Sequence, residues 1–387
     1  MITSPVVSSQ FTFELLYQSK KSRARVGKIH TPHGVIETPN FVAVGTNGSL
    51  KTLHNHDHQA LNVQLMFCNT YHLMVQPGTK LIKEAGGLHR FINRHQPIIT
   101  DSGGFQVFSL AYSQVATEQN RELKGQGGKK HATSVVKVSE EGVIFRSYKD
   151  GTKILLSPET TVLAQKDLGS DIIIPLDELL PFHVDEIKLK ASFDRTHRWE
   201  CRSLHEHLKN RQNQAMYAVV HGGSDLALRE KSCAILSNEA FDGFAIGGSL
   251  GSDHQELYQT VGGTTCHLPP EAPVHLLGIG DVASIDNCIQ YGIDTFDSSY
   301  PTKAARHGMI FTRNGPLKLI RQAHAREFEP LEEGCTCQTC THYTRAYLHH
   351  MFKANEPSAA SLATHHNVHF MMKKMETIRT QILCGLI

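Results

Sequence analysis

The sequence predicts an α/β protein: a closed parallel (β/α)8 TIM barrel, with an N-terminal antiparallel hairpin cap and a cysteine-rich helical segment near its C-terminus. Three observations predict it. First, short apolar runs recur, and each stops at polar groups. They are Pro97 to Thr100 before Asp101-Ser102-Gly103-Gly104, Ile172 to Leu176 before Asp177-Glu178, and Met216 to Val220 before His221-Gly222-Gly223. Phe241 to Ile246 before Gly247-Gly248 and Val274 to Leu277 before Gly278-Ile279-Gly280-Asp281 follow the same rule. Runs this short and apolar throughout read as strands buried on both faces. Second, helix signals alternate with these runs up to about residue 325, as successive βα units require. Third, polar groups just past parallel strands mark the carboxyl-end rim, where barrels of this kind do their chemistry.

Taken in order, Phe11 to Leu15 and Ala24 to Ile29 alternate like hairpin strands, His33-Gly34 makes a turn, and Val35 resumes a strand; this sheet is expected to cap the barrel's bottom. Met66 to Leu73 is an earlier barrel strand with polar groups at its end. The polar stretch Tyr112 to Thr133 reads as a long excursion, either a lid or a disordered loop, ahead of a hairpin over Val135 to Lys153. Ser157-Pro158-Glu159 opens a helix: serine caps, proline suits the first turn, and glutamate complements the dipole. That helix runs to Gly169. A sixth barrel segment, Gly292 to Phe296, delivers Asp297. Residues 1–325 are thus expected to form the catalytic barrel and 326–387 a metal-binding helical subdomain.

Composition narrows the class. The 387 residues carry a net charge of only +2, so any contact with nucleic acid comes from a local basic patch rather than from a polycation. Nine cysteines in no regular framework argue against a disulfide-built secreted protein. The polar segment Met1 to Gln10 lacks a signal pattern and no apolar run is long enough to span a bilayer, so a soluble, cytoplasmic protein is expected, with no membrane partner.

Cys335, Cys337 and Cys340 place three thiols in six residues. With one histidine they make a closed tetrahedral Cys3His zinc site, one that staples structure and leaves no open position for catalysis. The histidine is open on spacing: His342, His349, His350, His365, His366 and His369 all lie near, with His366 favoured because it shares a helix face with Leu362 and Phe370.

These motifs together resemble the tRNA-guanine transglycosylases, also called queuine tRNA-ribosyltransferases, over nearly the whole chain. The resemblance rests on Thr100 to Gln106, Leu156 to Glu159, Gly169 to Ile172 leading to Asp177-Glu178, and Phe241 to Gly243 leading to Gly247-Gly248. Phe296-Asp297, Pro301-Thr302 and the cysteine cluster with His366-Asn367 complete it. The family's zinc histidine precedes an asparagine, which selects His366 for one structural Zn2+ per subunit.

The resemblance implies replacement of the wobble guanine of G-U-N tRNAs (Asp, Asn, His and Tyr types) by a free 7-deazaguanine base, usually by a homodimer. It implies Asp297 as nucleophile and Asp101 as proton donor and acceptor, a division familiar from two-carboxylate glycosidases. Asp177 would read N1–H and the 2-amino group of the base, beside Asp101, Ser102, Gly103, Gly104, His221, Gly247 and Gly248, with Phe105 as a stacking face. RNA would be held along Gly278, Ile279, Gly280, Asp281, Val282, Ala283 and Ser284, and along Thr302, Lys303, Ala304, Ala305 and Arg306. Lys353, Lys373, Lys374 and Arg379 of the metal-binding segment either widen the basic surface or form a solvated charged face.

The chain departs from the bacterial pattern at several places. His221 stands where a glutamine is usual, Leu179 where a cysteine is, and Lys303 where an arginine is. Gly251 replaces a valine, as in the eukaryotic enzyme, and is expected to enlarge the pocket floor so that queuine is favoured over the aminomethyl prequeuosine base. The competing reading is a non-catalytic tRNA-binding or partner subunit of the same family; the presence of both Asp101 and Asp297 argues against it.

Overall fold

The computed structural model describes residues 11–108, 135–180 and 185–387. The Tyr112 to Thr133 excursion, expected as a lid or a loop, and Met1 to Gln10 lie outside the described residues.

Strands β1 (Thr12–Gln18), β2 (Arg25–Thr31) and β3 (Gly34–Thr38) form an antiparallel sheet. The barrel follows: β4 (Asn40–Val44), β5 (Met66–Cys68) and β6 (Ile98–Thr100). A three-stranded antiparallel sheet interrupts it: β7 (Val135–Ser139), β8 (Gly142–Arg146) and β9 (Lys153–Leu156), so the expected hairpin gains a third strand. The barrel resumes with β10 (Ile172–Ile173), β11 (Ala215–Val220), β12 (Gly243–Ile246), β13 (Val274–Leu276) and β14 (Thr295–Ser298). Parallel pairing of β14 with β4, Thr295 opposite Asn40 through Ser298 opposite Ala43, closes all eight strands into a ring.

Three expectations are corrected. The run Met66 to Leu73 is a strand only as far as Cys68, and Thr70–Val75 is a helix. The first barrel strand is Asn40–Val44, which the sequence reading had merged with the hairpin. The last strand begins at Thr295, not at Gly292, so Asp297 is a strand residue rather than one just past its end.

The run Ala215 to Val220 shows why these strands carry no polar alternation. Ala215, Tyr217 and Val219 pack with Val42, Phe67 and Ile99 inside the barrel, whereas Ala218 and Val220 pack outward with Ile246 and Leu276 beneath the helices. Both faces are buried, so both must be apolar. Phe11, Phe13, Ile29 and Ile36 of the N-terminal sheet join the interior cluster and plug its amino end.

Three buried or half-buried acids brace that same end. Asp171 accepts from the Ile98 N–H at 2.8 Å, Asp242 from Met216 at 2.8 Å, and Asp294 from Val274 at 2.7 Å. Each thus holds the first or second residue of a neighbouring strand, and each also holds a basic side chain: His33, Arg211 and Arg25 respectively. Hydrogen bonds and opposite charge hold the Asp171 carboxyl below its usual range despite burial.

The helix Pro158–Leu168 begins as expected, with the Ser157 Oγ accepting from the Thr160 N–H, and it ends at Gly169 with φ +69°. The long helix Pro357–Leu383 lays Met371, Met372, Met375, Ile378 and Ile382 into the barrel's outer core. Its Asn367 accepts from Phe311 N–H and donates to the carbonyls of Pro301 and Met309, tying it to the chain just beyond β14. Among the described residues no helix is long and apolar enough to cross a membrane.

Candidate active site

The rim at the carboxyl ends of the strands collects the predicted residues in barrel order. Asp101 follows β6, Asp177 lies beyond β10, His221 follows β11, Gly247-Gly248 follows β12, Gly278 lies beyond β13, and Asp297 sits in β14.

Asp101 is buried. Its Oδ2 accepts from Asn69 Nδ2 at 2.8 Å and from Gln106 Nε2 at 2.7 Å, and its Oδ1 accepts from the Thr70 N–H at 2.8 Å. Those donors favour the carboxylate, but burial disfavours it more, and the balance raises the pKa to about 6. Such a group exchanges protons readily near neutral pH. Asn69 and Gln106 were not assigned this task from sequence; both are amides, able to donate without adding charge.

Asp297 is also buried, and its two oxygens are treated differently. Oδ1 accepts from His275 Nε2 at 3.1 Å and from the Gly278 N–H at 2.8 Å. His275 is fully buried inside the barrel; the Asp297 carboxylate, which only accepts, places the proton on Nε2, so Nδ1 accepts from Thr295 Oγ1 at 2.7 Å. Among the described residues nothing donates to Oδ2. One oxygen is pinned and the other is left free, the disposition a nucleophilic carboxylate needs.

His221 donates from Nε2 to Asp177 Oδ2 at 3.0 Å. The two residues expected to read the base are therefore in contact with each other. Ser102 Oγ accepts from the Gly104 N–H at 3.2 Å, and Phe105 is 55% exposed, free to offer a face. A cavity of about 130 Å³ runs from His221 and Gly248 past Ser249 and Ser224 to Phe193; neither Asp101 nor Asp297 lines it.

Gly251 does not enlarge this pocket. Its φ is +131°, and a Cβ there would stand 2.8 Å from the Cβ and Cγ of Glu256, in the helix His254–Thr265. The space a valine would take is already filled by that helix, so the expectation is corrected.

The segments assigned to RNA are mixed. Lys303 is exposed and Arg306 half-buried on the helix Tyr300–Arg306, and Gly278 and Ala283 are exposed, with Ile279, Asp281 and Val282 half-buried. Gly280, Ser284, Thr302, Ala304 and Ala305 are buried, so they shape that surface from beneath instead of offering side chains to RNA. Of the further basic residues, Lys373 pairs with Glu376, Lys374 with Asp286 and Arg379 with Glu37, so each of these three has an acidic neighbour.

Cys335, Cys337, Cys340 and His366 converge, their ligand atoms all within 4.8 Å of one another. The three sulfurs lie 3.8, 3.5 and 3.2 Å from His366 Nδ1. Ligands of one tetrahedral zinc stand about 3.6 Å apart at usual bond lengths. His366 Nε2 donates to the Phe311 carbonyl at 2.8 Å, which leaves the Nδ1 lone pair facing the thiols. The donor set fits a metal ion.

Sequence reasoning also missed Arg229. It is fully buried in the helix Leu226–Leu236 and donates to four carbonyls: Val220 at the end of β11, Gly223 in the loop after it, and Gly247 and Ser249 in the loop after β12.

A protein-family model described as queuine tRNA-ribosyltransferase matches residues 19–386. A queuine tRNA-ribosyltransferase of Protochlamydia amoebophila is 59% identical over 377 residues, covering 97% of this chain and 96% of that protein. Proteins of the same description from Chlamydia caviae and Chlamydia trachomatis serovar D are 56% and 55% identical over 372 residues, each covering 96% of this chain and 98% of its own length.

Proposed function

This chain belongs to the queuine tRNA-ribosyltransferase family, enzymes that exchange a guanine of tRNA for a free base in queuosine synthesis, and on that premise we propose how its residues perform the exchange. The wobble guanine of G-U-N tRNAs enters the rim pocket. Asp297 Oδ2 attacks the ribose C1′, and guanine departs with the electron pair of the glycosidic bond while Asp101 supplies a proton. The ribose is held as an ester of Asp297. A free 7-deazaguanine then gives its N9 proton to Asp101, and N9 attacks C1′ and releases the carboxylate. The observation that carries this reading is the free Oδ2 of Asp297 on the same rim as an Asp101 whose pKa is raised to about 6.

Asp177, held by His221, reads N1–H and the 2-amino group, and the Gly248 N–H reads O6. Lys303 and Arg306 hold the anticodon backbone as cations. The Cys3His set holds a structural Zn2+, one per subunit, and the protein works in the cytoplasm as a homodimer. Exposed aromatics on the metal-bearing segment support a subunit contact: Phe328 is 73% exposed, and Tyr343 and Tyr347 stack at 5.4 Å.

The preferred base is queuine. With Gly251 removed as a ground, the support is the cavity beyond Gly248 and Ser249. A substituent on C7 leaves the base on the same side as O6 and points into that space.

One trapping experiment tests the reading. Enzyme and G-U-N tRNA are mixed, denatured and run on a gel, then the complex is chased with each base. We expect a protein–RNA band that Asp297→Asn abolishes, and a queuine chase about tenfold more efficient than one with the aminomethyl base. A band retained by the variant reassigns the nucleophile. A faster aminomethyl chase reverses the base preference. No band, with guanine retained in the tRNA, returns the chain to a non-catalytic tRNA-binding or partner subunit.

A further inference from the structure

Arg229 is among the largest fully buried side chains, and no carboxylate among the described residues pairs with it. Its guanidinium instead meets main-chain carbonyls. Nε donates to Gly223 O at 2.8 Å, Nη1 to Val220 O at 2.9 Å, and Nη2 to Gly247 O at 2.9 Å and Ser249 O at 3.1 Å. Burial lowers its pKa to about 10, which leaves it charged at neutral pH.

The Gly247 carbonyl and the Gly248 N–H belong to one peptide group. In a trans peptide they point in opposite directions. With the carbonyl turned back onto Arg229, the N–H faces away from the cation, and nothing among the described residues accepts from it. A cation on the carbonyl oxygen draws electron density from the amide nitrogen and strengthens its N–H as a donor. When guanine leaves, part of the bonding pair it takes resides on O6. A preorganised donor aimed at growing charge in a water-poor site lowers the barrier.

We propose that Arg229 is a positioning residue whose buried charge arms the Gly247–Gly248 peptide to grip O6 of the base, setting both guanine-type specificity and the rate of base departure. The inference rests on the reading that Gly248 meets O6. It assigns a task to a residue that touches neither substrate nor reacting atoms. A lysine could keep the charge but not the four-carbonyl fork. A glutamine keeps a donor without the charge.

The test measures binding of two free bases to wild type, Arg229→Gln and Arg229→Lys. The bases are 7-deazaguanine and its 6-thio analogue, which keeps N1–H and the 2-amino group but offers sulfur, a weaker acceptor. Wild type is expected to prefer the oxygen base. Arg229→Gln should weaken 7-deazaguanine about tenfold and leave the thio analogue within about twofold, so the preference collapses. Its kcat for guanine release should fall about a hundredfold, with KM for tRNA unchanged within about twofold. Arg229→Lys should retain much of the preference. Equal weakening of both bases in both variants means a mere clamp and overturns the proposal, as does a rise in KM matching the fall in kcat. If Arg229→Gln does not fold by circular dichroism, Arg229→Lys decides alone: an abolished preference overturns the proposal. A wild type that does not distinguish the bases removes Gly248 as the O6 reader, a failure of the underlying reading rather than of Arg229.

Discussion

Asp101 illustrates how one residue can be read in sequence while its behaviour cannot. Its position after an apolar run marks it, but whether burial or its amide donors prevail depends on Asn69, more than thirty residues upstream, and on Gln106. Burial prevails, and the carboxyl titrates at about 6. The sign of the pH dependence follows. A departing guanine needs a proton, so Asp101 must be protonated, and kcat/KM for guanine release from tRNA should fall as pH rises through about 6. An incoming base brings a proton, so Asp101 must be ionised, and kcat/KM for the free base should rise through the same pH. Single-turnover release and base incorporation, each measured from pH 5 to 8, check the opposed limbs at roughly these values. Asp101→Asn should flatten both and slow exchange about a thousandfold. Two profiles of the same sign would mean another group titrates. Arg229 and His275 were less legible. An arginine in an amphipathic helix looks like a solvated charge, and a lone histidine in an apolar strand looks like a satisfied core residue.

At the scale of elements, the chain reports its strands well and their edges poorly. Short all-apolar runs stood out because barrel strands are buried on both faces. Asn40–Val44 did not, because it follows β3 with only Pro39 between, and nothing local says that the chain passes there from one sheet to another. The same limit explains Gly251. Sequence offers a missing side chain; only the packed helix at Glu256 shows that no room results. Gly251→Ala should therefore destabilise the protein by about 2 kcal/mol, from a disfavoured backbone angle and a forced contact, without altering the preference between queuine and the aminomethyl base. Thermal unfolding and base competition check this. A changed base preference at unchanged stability would restore Gly251 to the pocket.

For the whole molecule, the cysteine cluster was legible because three thiols in six residues have few other uses in a reduced protein. How it joins the barrel was not. His366 and Asn367 are adjacent, so the histidine of the cysteine cluster and the residue that ties the last helix to β14's outgoing chain move as a unit. Stripping the metal with a tight chelator, or Ala at His366, should lower Tm by roughly 5 °C or more, read by calorimetry beside metal analysis. Molecules still folded should keep exchanging base; activity lost before stability would make the ion a reactant. The amino end of the barrel carries a different consequence. Asp171, Asp242 and Asp294 fasten strand starts to their neighbours, far from the rim. Strand alignment is then settled at one end of the ring and base choice at the other. Such an arrangement should tolerate wholesale exchange of rim loops between relatives, since a grafted loop inherits a frame whose register it had no part in setting.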